Sequence, residues 1–69
     1  MFDKVKFRAA VVLSGKSMED VANRLNINVS TLYRKINNDG FFTRCEIEVL
    51  TGFLSIRDPM SIFFAKELA

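Results

Sequence analysis

The fold is decided by residues 17–40, which read SMEDVANRLNINVSTLYRKINNDG. Ser17 followed by the acidic pair Glu19 and Asp20 is typical of a helix start, because a serine hydroxyl accepts a free backbone N–H and the helix dipole favours carboxylates in the first turn. Apolar residues then recur at helical spacing, and one of them is an alanine small enough for a close helix crossing: Val21, Ala22 and Leu25. The pattern predicts a short helix that ends before Asn26.

A second short helix follows after a tight turn. Asn26 suits the turn, since asparagine adopts the left-handed backbone conformation more readily than most residues with a side chain. Asn28 is the predicted cap of the next helix, about residues 29–37. Its inward residues are Leu32 and Ile36. Two short helices joined by such a turn form a helix-turn-helix, here over about residues 18–37.

Three further helices are predicted around this motif. One runs from about Asp3 to Ser14 and stops at Gly15. A capping box at Thr43–Glu46 begins another, and Asp58 followed by Pro59 begins the last. The apolar stripe expected to bury the first of these helices consists of Phe2, Val5, Ala9, Val12 and Leu13. No segment alternates as a strand would, so the fold class is all-α.

Length and composition restrict the classes of function that we expect for this chain. A chain of 69 residues with 49% apolar side chains makes one small globular domain, residues 1–69. The longest apolar run has five residues, and the first ten residues lack a signal-peptide pattern, so neither a membrane protein nor a secreted one is expected. The chain has no histidine and a single cysteine, Cys45, which removes the usual zinc sites and nucleophile pairs. We therefore expect no enzyme, no metal and no cofactor.

Charge and the predicted third helix point to nucleic acid. Residues 1–44 carry a net charge of +4 and residues 45–69 carry −2, which suits a polyanionic partner on the first part of the chain. The predicted outward side of the helix at 29–37 is largely polar, and such a helix fits the DNA major groove. Its members are Val29, Ser30, Tyr33, Arg34 and Asn37.

Residues 18–40 resemble the Cro-like (XRE) helix-turn-helix family of bacterial and phage regulators. The run STLYRKIN at 30–37, Phe42-Thr43 with Glu46-Ile47, and the segment 62–65 are similar to small phage Cro-like proteins. Two positions depart from the family pattern: Asn26 stands where glycine is usual, and Gly52 lies inside the fourth helix. The resemblance implies a compact five-helix, lambda-repressor-like domain. It also implies a repressor that binds a double-stranded DNA operator, commonly as a dimer, in the cytoplasm of a bacterial host at the nucleoid.

The resemblance also implies two sets of contact residues. Those expected to read bases are Asn28, Val29, Ser30, Tyr33 and Arg34. Those expected to bind phosphates are Ser17, Asn37, Asn38, Thr43 and Arg44. An arginine such as Arg34 can pair bidentately with guanine O6 and N7, and Ser17 would act together with the first backbone amides of its helix.

The sequence allows two roles for several residues. The C-terminal apolar residues are either a homodimer surface or part of the core: Ile62, Phe63, Phe64 and Leu68. Tyr33 either contacts DNA or packs over the neighbouring loop. At least one of Phe41 and Phe42 is expected to plug the core, and the other interpretation is an aromatic wedge for DNA. The basic residues of the first helix form a solvated face or reach a phosphate.

The sequence also allows a second function, which is binding to another protein. A helical domain of this size can bind another protein, as an antirepressor or antitoxin does, without reading DNA, since fold alone does not set function.

Overall fold

The computed structural model describes residues 2–38 and 40–64, and five helices follow one another in this part of the chain. Their bounds are α1 Lys4–Leu13, α2 Met18–Arg24, α3 Val29–Asn37, α4 Arg44–Phe53 and α5 Pro59–Phe63. No strand occurs among the residues described, and the all-α prediction is confirmed. No helix in the same residues is long and apolar enough to cross a membrane.

The helix starts lie where the capping residues predict them. Ser17 and Asp20 form a capping box at α2, and Thr43 and Glu46 form a second one at α4. The carboxylate of Asp58 accepts the Ser61 N–H at the start of α5. Such caps satisfy backbone N–H groups that have no partner inside the helix, which is why the sequence locates them well.

The turn between α2 and α3 has the predicted geometry. Asn26 adopts a left-handed conformation with φ of 61°. The Ile27 N–H donates to the Ala22 carbonyl at 3.0 Å, and Ala22 is 2% exposed. The small side chain and the asparagine turn therefore bring the two helices together as a helix-turn-helix.

Four phenylalanines from distant parts of the chain form an aromatic cluster in the core. The centroids of the Phe2, Phe7, Phe42 and Phe63 rings lie 5.4–6.1 Å apart in all six pairings. Phe42 is thus the predicted core plug, whereas Phe41 is 78% exposed. The cluster attaches the start of the chain and α5 to the loop that follows α3.

The predicted buried stripe of α1 is wrong apart from Phe2. Val5, Val12 and Leu13 are 77%, 74% and 87% exposed, and Ala9 is exposed as well. The core takes Phe7 and Val11 instead. Apolar residues lie around much of this helix, so periodicity alone did not identify the buried face. The face is set instead by Phe7, whose ring packs with the other three rings of the aromatic cluster.

Two of the C-terminal apolar residues follow the second of their two interpretations and are part of the core. Ile62 and Phe63 are 6% and 5% exposed, and the Asp3 N–H donates to the Ile62 carbonyl at 2.8 Å. These two residues belong to the core of the protomer, which excludes them from an exposed dimer surface. Phe64 remains 47% exposed, and Leu68 lies outside the described residues.

Gly40 offers a sharp test of how the loop packs. Both Gly40 and Gly15 have positive φ, but a Cβ on Gly40 would overlap the Phe2 side chain, whereas a Cβ on Gly15 would meet nothing within 4 Å. Gly15→Ala should destabilise the fold by about 1–2 kcal/mol through backbone strain alone. Gly40→Ala should cost about 2–4 kcal/mol, because overpacking adds to the strain. Urea denaturation of both variants measures the difference, and equal losses would contradict the Phe2 contact.

Candidate nucleic-acid interface

Helix α3 has a buried side and an exposed polar side. Leu32 and Ile36 are 0% and 3% exposed and hold the helix on the core. Ser30, Arg34 and Asn37 are exposed on the opposite side, and Tyr33 is 37% exposed at its edge. The structure therefore brings most of the predicted base-reading residues together on one surface.

Val29 differs from that prediction. Its side chain is half-buried and packs against the core, although the sequence pattern placed it outward. Val29 comes three residues before Leu32, so it lies toward the buried side of the helix. Only part of this side chain is available for an apolar contact with a base.

Asn28 and Arg34 have polar side-chain groups with no partner among the described residues. Asn28 starts α3 with extended backbone and without a side-chain capping bond, so its carboxamide is not needed to begin the helix. In residues 2–38 and 40–64, the Arg34 guanidinium has neither an ion pair nor a hydrogen bond. Both groups can therefore pair with a ligand without breaking a hydrogen bond or an ion pair to another described residue.

Lys35 has a structural role that the sequence interpretation missed. Its Nζ lies 3.3 Å from Glu46 Oε1 and 3.3 Å from the Phe41 carbonyl oxygen. The ammonium group also lies 5.7 Å from the centroid of the Phe42 ring. Lys35 therefore ties α3 to the loop and to α4. The opposite charges of the two residues were the available signal, but a separation of 11 positions does not indicate contact.

The predicted phosphate-binding residues next to α3 are all exposed. Asn37 and Asn38 end α3, and Thr43 and Arg44 begin α4. Lys35 and Glu46 hold these two helix ends together across the loop. Arg44 forms a 3.6 Å ion pair with Glu48, but their side chains are 92% and 68% exposed, so the pair is weak.

Ser17 is already engaged in the fold at the start of α2. Its hydroxyl accepts the Asp20 N–H at 3.1 Å, and its own N–H donates to Asp20 Oδ2 at 2.8 Å. The hydrogen bonds from the Ser17 backbone and side chain lower the pKa of Asp20. A carboxylate thus stands where the sequence predicted a phosphate, and both the backbone and the side chain of Ser17 are engaged with Asp20.

The capping box at α2 predicts a pH dependence. Because the folded state lowers the pKa of Asp20, ionised Asp20 stabilises the fold above the ordinary aspartate pKa of about 3.9, and this contribution is lost as pH falls below it. Asp20→Asn should therefore lower the urea midpoint at pH 7, and its difference from the wild type should shrink as the pH falls below about 4. A difference that stays constant over this range would contradict the role of the charge.

Other potential sites in this region are modest. A shallow pocket of about 430 Å³ lies at the turn of the helix-turn-helix and is lined mainly by amide and hydroxyl side chains. No group of three or more acidic, cysteine or histidine residues that could hold a metal occurs in the described part of the chain. The exposed side of α3 is therefore the principal candidate for a functional surface.

Comparison with known proteins adds no relative. No family model, curated protein or solved structure matches the chain. The functional interpretation consequently rests on the chemistry of the helix-turn-helix and on the family resemblance of its residues.

Proposed function

We propose that this protein is a sequence-specific double-stranded DNA-binding transcriptional regulator that inserts α3 into the major groove. The observation that carries the proposal is the exposed polar side of α3, on which Arg34 lies opposite two buried anchors and lacks an ion pair among the described residues. An α-helix fits the width of the major groove, and the base edges there present a distinct pattern for each base pair.

The exposed groups suit different parts of that pattern. Arg34 can donate two hydrogen bonds to guanine, Asn28 can pair with adenine through its amide, and the Ser30 hydroxyl can donate or accept. Tyr33 and the exposed part of Val29 supply apolar contact. The first residues of α3 come nearest the base edges in this arrangement.

Phosphate contacts would then fix the register of α3. Asn37 and Asn38 at the end of α3 and Thr43 and Arg44 at the start of α4 can donate to the backbone of the DNA. The hydroxyl of Ser17 can do the same. The Lys35–Glu46 ion pair joins the end of α3 to the start of α4, so it holds the phosphate contacts on the two sides of the loop near each other.

The family resemblance extends the proposal to biology. It supports a phage or prophage Cro-like repressor that acts at the nucleoid in the bacterial cytoplasm. It also supports a homodimer on an inverted repeat, with half-sites about one helical turn apart. Of the residues predicted for the dimer surface, Phe64 is the described one that remains exposed.

Arg34→Ala tests base reading. On the duplex enriched from a random DNA pool, the substitution should weaken binding by about 1–3 kcal/mol and relax specificity at one base pair per half-site. Arg24→Ala is the matched control, since it removes the same charge from the helix-turn-helix but its guanidinium lies over the Phe53 ring at 5.6 Å. Equal losses on enriched and random duplexes would contradict a base contact, and failure of the pool to enrich any sequence would overturn the proposed function.

Arg44→Ala tests phosphate binding. It should weaken binding to enriched and random duplexes by a similar factor, and it should lower the slope of log affinity against log salt by about 1. Salt titrations of the wild type and the variant measure this slope. An unchanged slope would remove Arg44 from the phosphate contacts.

A further inference from the structure

The outward side of α1 is apolar. Phe7 and Val11 face the core, and at 3.6 residues per turn the opposite side carries four aliphatic residues within roughly 100° of the helix circumference. We call these residues the α1 stripe: Val5, Ala9, Val12 and Leu13. All four are exposed, although a surface helix normally presents polar residues on the side away from the core. Packing among the residues that the structure describes does not bury the α1 stripe.

An apolar groove borders the α1 stripe. A cavity of about 670 Å³ lies between α1, the end of α4, the segment after it and α5, and Ala9 and Leu13 line it as well. Buried Leu54 and Ile62 contribute to its lining, and the half-buried Phe53 is another of its apolar walls. The α1 stripe therefore continues through Ala9 and Leu13 into this groove, and Lys6 lies at the junction between the two.

Cations surround this surface. Lys4 and Arg8 flank one edge of the α1 stripe, and Lys6 flanks the other. Lys16 lies at the groove, 5.0 Å from the centroid of the Phe53 ring, and Arg57 lines it too. Among the described residues of the lining, Asp58 is the carboxylate, and it is engaged as the cap of α5. The rim is therefore positive.

The positive charge around the α1 stripe and its groove distinguishes between the possible binding partners. Two copies that faced each other through the α1 stripe would bring basic edges against basic edges, which is unfavourable. A lipid surface would cover the α1 stripe but would not fill the concave groove beside it. An amphipathic helix fills a groove with residues spaced at i, i+3 or i+4, and i+7, and acidic residues beside those anchors would meet the cations.

We propose that the α1 stripe and its groove form a docking site for an acidic amphipathic helix of another protein. Its apolar side chains lie along the α1 stripe and enter the groove, and its carboxylates pair with Lys6 and with the cations of the opposite edge. The site is built from α1, the α1–α2 loop, α4 and α5, so this inference does not depend on DNA reading by α3.

Selection from a phage-displayed library of helical peptides, randomised along the helix face that would contact the protein, tests the site. The intact chain is the bait, and Leu13→Ser, which alters a side chain that is 87% exposed, is the counter-selection. Enriched peptides should carry Asp or Glu beside apolar anchors at helical spacing. The synthetic form of an enriched peptide should bind at least tenfold more weakly to Leu13→Ser and to Lys6→Glu. Phe41→Ser, which removes another exposed apolar side chain elsewhere, should leave the affinity within twofold.

Four results would overturn the inference. They are a selection without enrichment, enrichment of neutral or basic peptides, equal affinity for the wild type and Leu13→Ser, and equal effects of Leu13→Ser and Phe41→Ser. Two other experiments identify a different occupant. Loss of a wild-type dimer in Leu13→Ser by sedimentation would assign the α1 stripe to a second copy. Flotation with phosphatidylglycerol vesicles that Leu13→Ser abolishes would assign it to lipid.

Discussion

The packing of four phenylalanine rings is the interaction on which the rest of the structure depends. The chain has one cysteine and no histidine, so neither an internal disulfide nor a common zinc site holds its short helices. The aromatic cluster joins Phe2 and Phe7 to Phe42 and Phe63, and Gly40 lies against the first of these rings. Helices of five to ten residues are marginal alone, and burial at this cluster gives them a common core. It also fixes the loop between the proposed phosphate contacts at the end of α3 and those at the start of α4.

The next constraint is a single carboxylate with two roles. Glu46 accepts the Thr43 N–H in the capping box and pairs with Lys35, so the start of α4 is attached to the end of α3. Arg34 and Lys35 are neighbours in sequence, but successive helix residues differ by about 100° in direction. One cation therefore joins the loop and α4, and the other faces outward.

Capping and turn residues made the helix bounds predictable, because their chemistry is local. The hydroxyls of Ser17 and Thr43 accept backbone N–H groups three positions away, and Asn26 makes the turn through its own left-handed conformation. Helix faces were less predictable, since the face that is buried depends on distant partners. The apolar residues of α1 are compatible with more than one face, and the ring cluster that selects Phe7 includes residues from the other end of the chain. The buried position of Ile62 and Phe63 has the same non-local cause.

The positive charge of the first two thirds of the chain is spread over more than one surface of the protein. A net charge of +4 over residues 1–44 predicts a polyanionic partner, but these cations do not share one surface. Arg34 and Arg44 are exposed at the proposed DNA side, whereas Arg24 and Lys16 lie over the Phe53 ring. The cations of α1 border an apolar stripe, and this combination is the basis of the proposed docking of an acidic protein helix. The same excess of positive charge thus supports two partners on two different surfaces, and the aliphatic residues between the charges distinguish them.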